Sequence, residues 1–180
     1  MAEVILVTGG CRSGKSAFAE KLVREAGSEN RFYIATCPVV DAEMAERVRR
    51  HQERRAADRW TTIEEETDLV SALRRCTAGS AVLVDCLTLW ISNLMYAADQ
   101  KNRLFAEDEM RAECERFQAA CAAFDGTIVL VLNEVGLGIV PENEIARRFR
   151  DCSGRCGQMI ASFADRVYLT VCGIPMKLKG

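Results

Sequence analysis

The sequence predicts a single α/β domain over residues 1–180, a phosphate-loop (P-loop) fold with a mostly parallel central sheet flanked by helices. Two observations carry the prediction. Short β-rich runs alternate with longer helical patterns along the whole chain, the order that βαβ units and a parallel sheet require. The first run, Val4–Thr8, leads straight into a glycine-rich turn, Gly9-Gly10-Cys11-Arg12-Ser13-Gly14-Lys15-Ser16, and then a helix. The 180 residues correspond to one domain, at about 150 residues per domain. No linker, repeat or low-complexity tract divides them.

The expected strands are Val4–Thr8, Arg31–Thr36, Ala81–Asp85, Thr127–Asn133 and Arg166–Cys172. Three of them read as near-continuous Val, Ile and Leu, the composition of a strand covered on both faces. Helical periodicity falls at 14–26, 41–57, 67–76, 87–98, 104–124 and 141–163. In the last, Ile145, Phe149, Cys152, Cys156, Ile160 and Phe163 form one apolar stripe, and Pro141 is expected as the first helical residue. The 87–98 pattern is apolar around much of its circumference, which suits either an internal helix or one that meets a second subunit. Residues 99–104 read as an exposed connection.

Composition narrows the function classes. Apolar residues make up 49% and charged residues 28%, which excludes a disordered chain, a collagen-like chain and a coiled coil. A net charge of −2 argues against a dedicated nucleic-acid binder. The nine cysteines are an odd, scattered set with no C-x-x-C pair, and there is one histidine. Neither a disulfide framework nor a zinc site is expected; the thiols read as small hydrophobes in a reduced, cytoplasmic protein. The apolar start is too short for a secretory core or a membrane span.

Gly9–Ser16 fits G-x-x-x-x-G-K-[ST] between a buried strand and a helix, the context the motif needs. Its glycines let backbone N–H groups wrap phosphates, Lys15 brings a charge to the β and γ oxygens, and the Ser16 hydroxyl suits Mg²⁺. Asp85 ends a buried strand and so reaches the same sheet edge as the loop. It reads either as a second Mg²⁺ ligand or as the cap of the helix that follows. Asn133-Glu134-Val135-Gly136-Leu137-Gly138-Ile139-Val140-Pro141 closes another strand and suits either a substrate crevice or an ordinary loop.

His51 lies on a helical pattern with Met44 and Val48 on its stripe and Arg47, Arg54 and Arg55 beside it. Arginines beside a nucleotide site favour phosphate contacts, and their charge favours the neutral, nucleophilic imidazole. The other reading is a solvated basic helix with an incidental histidine.

Taken together, Ile5–Ser16, Tyr33-Ile-Ala-Thr36, Asp41-Ala-Glu-Met44 with Arg47 and His51, Trp60-Thr-Thr-Ile-Glu64, Asn133–Glu142, and Arg148-Phe-Arg-Asp151 with Gly154, Arg155 and Gln158 carry a resemblance. They run in order over essentially the whole chain, and the N-E-V-G-x-G-I-V-P-E string is far more specific than the phosphate loop. The chain resembles the bifunctional adenosylcobinamide kinase/adenosylcobinamide-phosphate guanylyltransferases of cobalamin biosynthesis.

The resemblance implies a RecA-like fold, a homotrimer and two reactions. ATP or GTP phosphorylates adenosylcobinamide; GTP then gives GMP to that phosphate through a guanylylated histidine, yielding adenosylcobinamide-GDP and pyrophosphate. It places the covalent step on His51. It places nucleotide contacts on Gly9, Gly10, Cys11, Arg12, Ser13, Gly14, Lys15 and Ser16, on Ile34, Ala35 and Thr36, on Gln52, Glu53, Arg54 and Arg55, and on Glu64 and Asp85. Cys11 stands where such proteins often carry Ala, and Gly157 where Asn is expected. The competing reading is a P-loop small-molecule kinase without the guanylyl step. A regulatory GTPase is disfavoured because no N-K-x-D motif is present.

Overall fold

The computed structural model describes residues 2–38 and 60–180. Its strands are β1 (Glu3–Gly9), β2 (Arg31–Ala35), β3 (Trp60–Glu64), β4 (Ser80–Asp85), β5 (Gly126–Asn133), β6 (Arg166–Val171) and β7 (Ile174–Lys179). Its helices are α1 (Lys15–Glu25), α2 (Leu69–Arg74), α3 (Leu87–Asp99), α4 (Glu107–Ala123) and α5 (Glu144–Phe163). The pattern expected at 41–57 lies outside the described residues.

The strands form one seven-stranded sheet in the order β3-β2-β4-β5-β1-β6-β7, parallel throughout except for β7 against β6. The alternation along each strand sorts side chains onto two faces. Val4, Leu6, Val82, Val84, Ile128 and Leu130 face one layer, where α2, α3, α4 and α5 supply Leu73, Trp90, Phe117 and Ile160. Ile5, Val7, Leu83, Val129 and Val131 face the other, where α1 supplies Ala19, Leu22 and Val23. Covering on both sides explains the near-continuous apolar runs of β1, β4 and β5. Among the described residues no helix is long and apolar enough to cross a membrane.

Three sequence expectations change. β3 and β7 were not anticipated, and both are outer strands. β3 buries only Ile63, and β7 is exposed along its length and carries Pro175, so neither shows the composition of a covered strand. The strand expected to reach Cys172 stops at Val171: Cys172 (φ 52°) and Gly173 (φ 80°) form a two-residue turn of left-handed conformations into β7. Finally, α5 begins at Glu144, not Pro141. Asn143 caps it, its side chain accepting from Ala146 N at 2.9 Å, while Arg147 holds back the carbonyls of Pro141 and Glu142.

The cysteines are free thiols, five of them buried. Burial pushes the Cys121 thiol up to about 12. Burial, followed by the carboxylates of Glu107 and Asp151, pushes Cys152 up to about 11. In the unfolded chain such thiols ionise near pH ~8.5. Below that pH they are neutral in both states and their contribution is fully present. Above it the unfolded chain loses protons that the folded chain keeps, so stability falls as pH rises toward the folded values, by at most about 1.4 kcal/mol per pH unit per thiol. Urea unfolding under reducing conditions should therefore give a lower midpoint at pH 10 than at pH 8, and Cys121→Ala should make that pH dependence shallower.

Candidate functional site

The site follows from the parallel register. Gly9 pairs with Asn133, Asp85 with Val131, and Ala35 with both Asp85 and Glu64. The carboxyl ends of β1, β2, β3, β4 and β5 therefore share one edge of the sheet, the edge where open α/β sheets bind ligands.

At β1 the chain turns through Gly10–Gly14 into α1. Gly14 is the N-cap, left-handed at φ 93°, and as a glycine it brings no side chain to cap the first-turn N–H groups. No acid sits in that turn either, so the positive end of the helix faces the loop without a competing charge. Lys15 is 8% exposed and arches over the loop, donating from Nζ to the Gly10 carbonyl at 3.1 Å. Gly10, Cys11, Arg12 and Gly14 are exposed, Ser13 is buried, and Ser16 is half-buried on the first turn of α1.

The loop is backed by the β6–β7 hairpin, which sequence reasoning did not connect with it. Gly173 N donates to the Ser13 carbonyl at 2.8 Å. A Cβ on Gly9 would lie 2.5 Å from the Thr170 carbonyl oxygen, and one on Gly14 would lie 3.0 Å from Gly173 Cα. The signal for this hairpin was present as Cys172-Gly173 between two β-forming runs.

The neighbouring strand end is tied in as well. Glu134 N donates to the Gly9 carbonyl at 3.0 Å, and the Glu134 carboxylate accepts from Gly136 N at 2.6 Å. Asn133 N donates to the Thr88 hydroxyl on α3 at 2.7 Å. Leu137, Ile139 and Val140 are left exposed on the segment that follows.

A second group lies on the other half of the edge. Asp85 is half-buried, and its Oδ2 accepts from the Tyr33 hydroxyl at 3.0 Å. It is not the cap of α3: that position belongs to Cys86. Thr36 is buried with its hydroxyl committed to Cys86, donating to the carbonyl and accepting from the amide, both at 2.8 Å. Ile34 is fully buried. The side chains of Ile34 and Thr36 thus brace this edge and are not available to a ligand, whereas Ala35 and Glu64 reach the surface. With strands ~4.8 Å apart, β4 stands about 10 Å and β3 about 19 Å from β1. The phosphate loop and the Glu64–Ala35–Asp85 row are two parts of one long edge. His51, Gln52, Glu53, Arg54 and Arg55 lie outside the described residues.

Among the described residues no group of three or more His, Cys, Asp or Glu side chains could hold a metal ion. A hydroxyl at Ser16 and a carboxylate at Asp85 are nonetheless hard oxygen donors of the kind Mg²⁺ takes, a cation that completes its shell with water and substrate phosphates.

Comparison with known proteins follows the same lines. Residues 5–178 match the family model CobU, described as cobinamide kinase / cobinamide phosphate guanyltransferase. The chain is 46% identical over 176 residues to the bifunctional adenosylcobalamin biosynthesis protein CobP of Pseudomonas aeruginosa, covering 97% of this chain and 96% of that one. It is 42% identical over 183 residues to the bifunctional adenosylcobalamin biosynthesis protein CobU of Salmonella typhimurium, covering 98% and 99%. The fold is similar to that of the flagellar accessory protein FlaH from Methanocaldococcus jannaschii, with a TM-score of 0.53 at 13% identity, over 98% of this chain and 78% of that one.

The packing of the loop separates its glycines. Gly14→Ala forces a left-handed alanine against Gly173 and should cost about 1–3 kcal/mol. Gly10→Ala, whose added methyl meets nothing within 4 Å, should stay within about 0.5 kcal/mol of the parent protein. Paired urea titrations check both values.

Proposed function

Because the chain belongs to the cobinamide kinase / cobinamide phosphate guanyltransferase family, we propose that its sheet edge runs both reactions, with the phosphate loop as the common nucleotide anchor. The chain is a bifunctional transferase of cobalamin biosynthesis. The observation that supports the placement is Lys15, buried over a glycine loop whose helix end carries no competing acid.

In the first reaction the hydroxyl of adenosylcobinamide attacks the γ-phosphorus of ATP or GTP. The bond to the bridging oxygen breaks, the nucleoside diphosphate leaves and the hydroxyl proton passes to solvent. Backbone N–H groups of Gly9–Ser16 hold the phosphates, and Lys15 offsets the negative charge on the transferring group. Ser16 and Asp85 are the residues that would hold Mg²⁺, which supplies charge neutralisation at the phosphate oxygens when bound. The half-buried Ala35 and the Glu64 carboxylate lie farther along the edge, on the nucleoside side.

In the second reaction the neutral imidazole of His51 attacks the α-phosphorus of GTP. A P–N bond forms and pyrophosphate leaves. A phosphate oxygen of adenosylcobinamide phosphate then attacks the same phosphorus, the P–N bond breaks, and the products are adenosylcobinamide-GDP and free histidine. Splitting one displacement into two lets one site serve two acceptors. The guanidiniums of Arg54 and Arg55, with Gln52 and Glu53, flank His51 in sequence and supply phosphate contacts. We place the enzyme in the cytoplasm as a homotrimer, without a nucleic-acid partner. Sedimentation at micromolar concentration should then give three times 20.0 kDa, and a 20.0 kDa species alone would contradict the trimer.

Two substitutions test the chemistry. Lys15→Ala should lower cobinamide phosphorylation by about 100-fold or more with an unchanged far-UV spectrum. His51→Ala should take up no label from α-labelled GTP and form no adenosylcobinamide-GDP, whereas the parent protein should keep label through denaturation and base and lose it in acid. Labelling of His51→Ala at the parental level would show the histidine to be a bystander.

A further inference from the structure

A groove of about 490 Å³ lies on the helical layer opposite α1, between the outer half of α3 and the first turns of α5. Its walls are Met95, Tyr96, Ile145 and Phe149, with Phe105 at its floor. Tyr96 and Ile145 are 66% and 62% exposed, more than an isolated apolar side chain needs to explain, because they face each other across one concavity. Ser92, Asp99, Arg103 and Arg148 add hydroxyl, carboxylate and guanidinium groups around this apolar surface. The volume and the mixture are those of a small-molecule site.

Two chain segments link the groove to the root of the phosphate loop. On α3, Thr88, Ser92, Met95, Tyr96 and Asp99 recur at three- and four-residue spacing and so share a face. Thr88 accepts from Asn133 N, and Asn133 pairs with Gly9 at the root of the loop. At 1.5 Å per residue, Ser92 stands about 6 Å and Asp99 about 16 Å beyond Thr88. The opposite wall is reached by the segment that starts on the Gly9 carbonyl at Glu134 and ends at Asn143, the cap of α5. The Ser92 end of the groove is therefore the one nearer Thr88 and the root of the phosphate loop, and the Asp99 end lies farther along α3.

Resting on the family reading above, we propose that this groove binds the corrin ring of the substrate, with its hydroxyalkyl tail directed along α3 toward Thr88 and the phosphate loop. The chemistry matches on three counts. A corrinoid is a broad, largely apolar macrocycle, which suits Met95, Tyr96, Phe105, Ile145 and Phe149. Its rim carries amides, which donate to Asp99 and accept from Arg103 and Arg148. Its one reactive hydroxyl sits on a flexible tail, which can span the turn of helix between Ser92 and the loop while the ring stays fixed. A ring held away from the nucleotide also leaves the tail free to present first a hydroxyl and then a phosphate.

The test uses the full chain with cobinamide and Mg²⁺-ATP, comparing Tyr96→Ala and Ile145→Glu with the parent protein. Both residues are exposed, so both variants should fold, and Tyr96→Ala remains informative if the charge at 145 impairs expression. Each should raise the KM for cobinamide about tenfold, the effect of losing one well-placed contact, with the KM for ATP unchanged. Equilibrium titration of cobinamide, followed by corrin absorbance, should show the same weakening without nucleotide. An unchanged cobinamide KM in both variants would overturn the groove and leave the family activity standing. The same unchanged KM with a smaller sedimenting species would reassign the face to a contact between subunits. A parent protein that phosphorylates no cobinamide would remove the activity itself, and the groove assignment with it.

Discussion

The arrangement depends on one constraint, the position of β1 in the interior of the sheet with parallel neighbours on both sides. β1 pairs with β5 through Gly9↔Asn133 and with β6 through Thr8↔Leu169. Its residues Val4–Val7 are covered on both faces and all are at most 4% exposed. A strand so enclosed cannot slip by one residue without exchanging its two apolar faces. Gly9 is therefore fixed in height, and the loop it starts must emerge at the same edge as Asn133 and, one strand farther, Asp85. The site is a consequence of register before it is a consequence of loop sequence.

The hairpin adds a second restraint of a different kind. A glycine-rich loop has many accessible conformations, and ordering it costs about 1–2 kcal/mol per residue. Here the cost is met by backbone contacts: Gly173 N on the Ser13 carbonyl, Glu134 N on the Gly9 carbonyl, and Thr170 packed under Gly9. Because the contacts run through backbone atoms, they leave the loop's outward amides free and demand little of its side chains. That explains how an exposed Cys11 can occupy the loop without altering its frame.

The sequence exposed the interior of the molecule more fully than its margins. β1, β4 and β5 were legible because double coverage writes an unbroken apolar run. The stripe of α5 was legible because Cys152, Cys156 and Ile160 all meet the core. β3 and β7 were not, since an outer strand buries little and Thr, Lys and Pro there look like loop. The start of α5 was misplaced because Pro141 is a strong local signal, while the capping bond of Asn143 depends on where the chain leaves the sheet. At the site, the motif identified Lys15 and Ser16 without any geometry. It gave no hint of the support from Thr88, Tyr33 or Gly173, whose partners lie 45, 52 and 160 positions away along the chain. The resemblance, not the motif, brought in Ile34, Ala35 and Thr36, of which Ile34 and Thr36 have buried side chains and Ala35 a half-buried one.

Topology limits where the segment that carries His51 is able to leave the sheet. β2 and β3 are adjacent and parallel, so the connection between them must leave the carboxyl edge after Ala35 and return to the amino edge at Trp60. That connection carries His51 and its arginines. Its point of departure is Thr36, bonded to the backbone of Cys86 immediately after Asp85. That segment is thus attached to the sheet beside Asp85, and about three strand spacings, ~14 Å, from β1, the strand that leads into the phosphate loop. The described residues therefore put the departure of the crossover and the phosphate loop on one sheet edge, three strand positions apart, with Asp85 and Asn133 at the ends of the two strands between them.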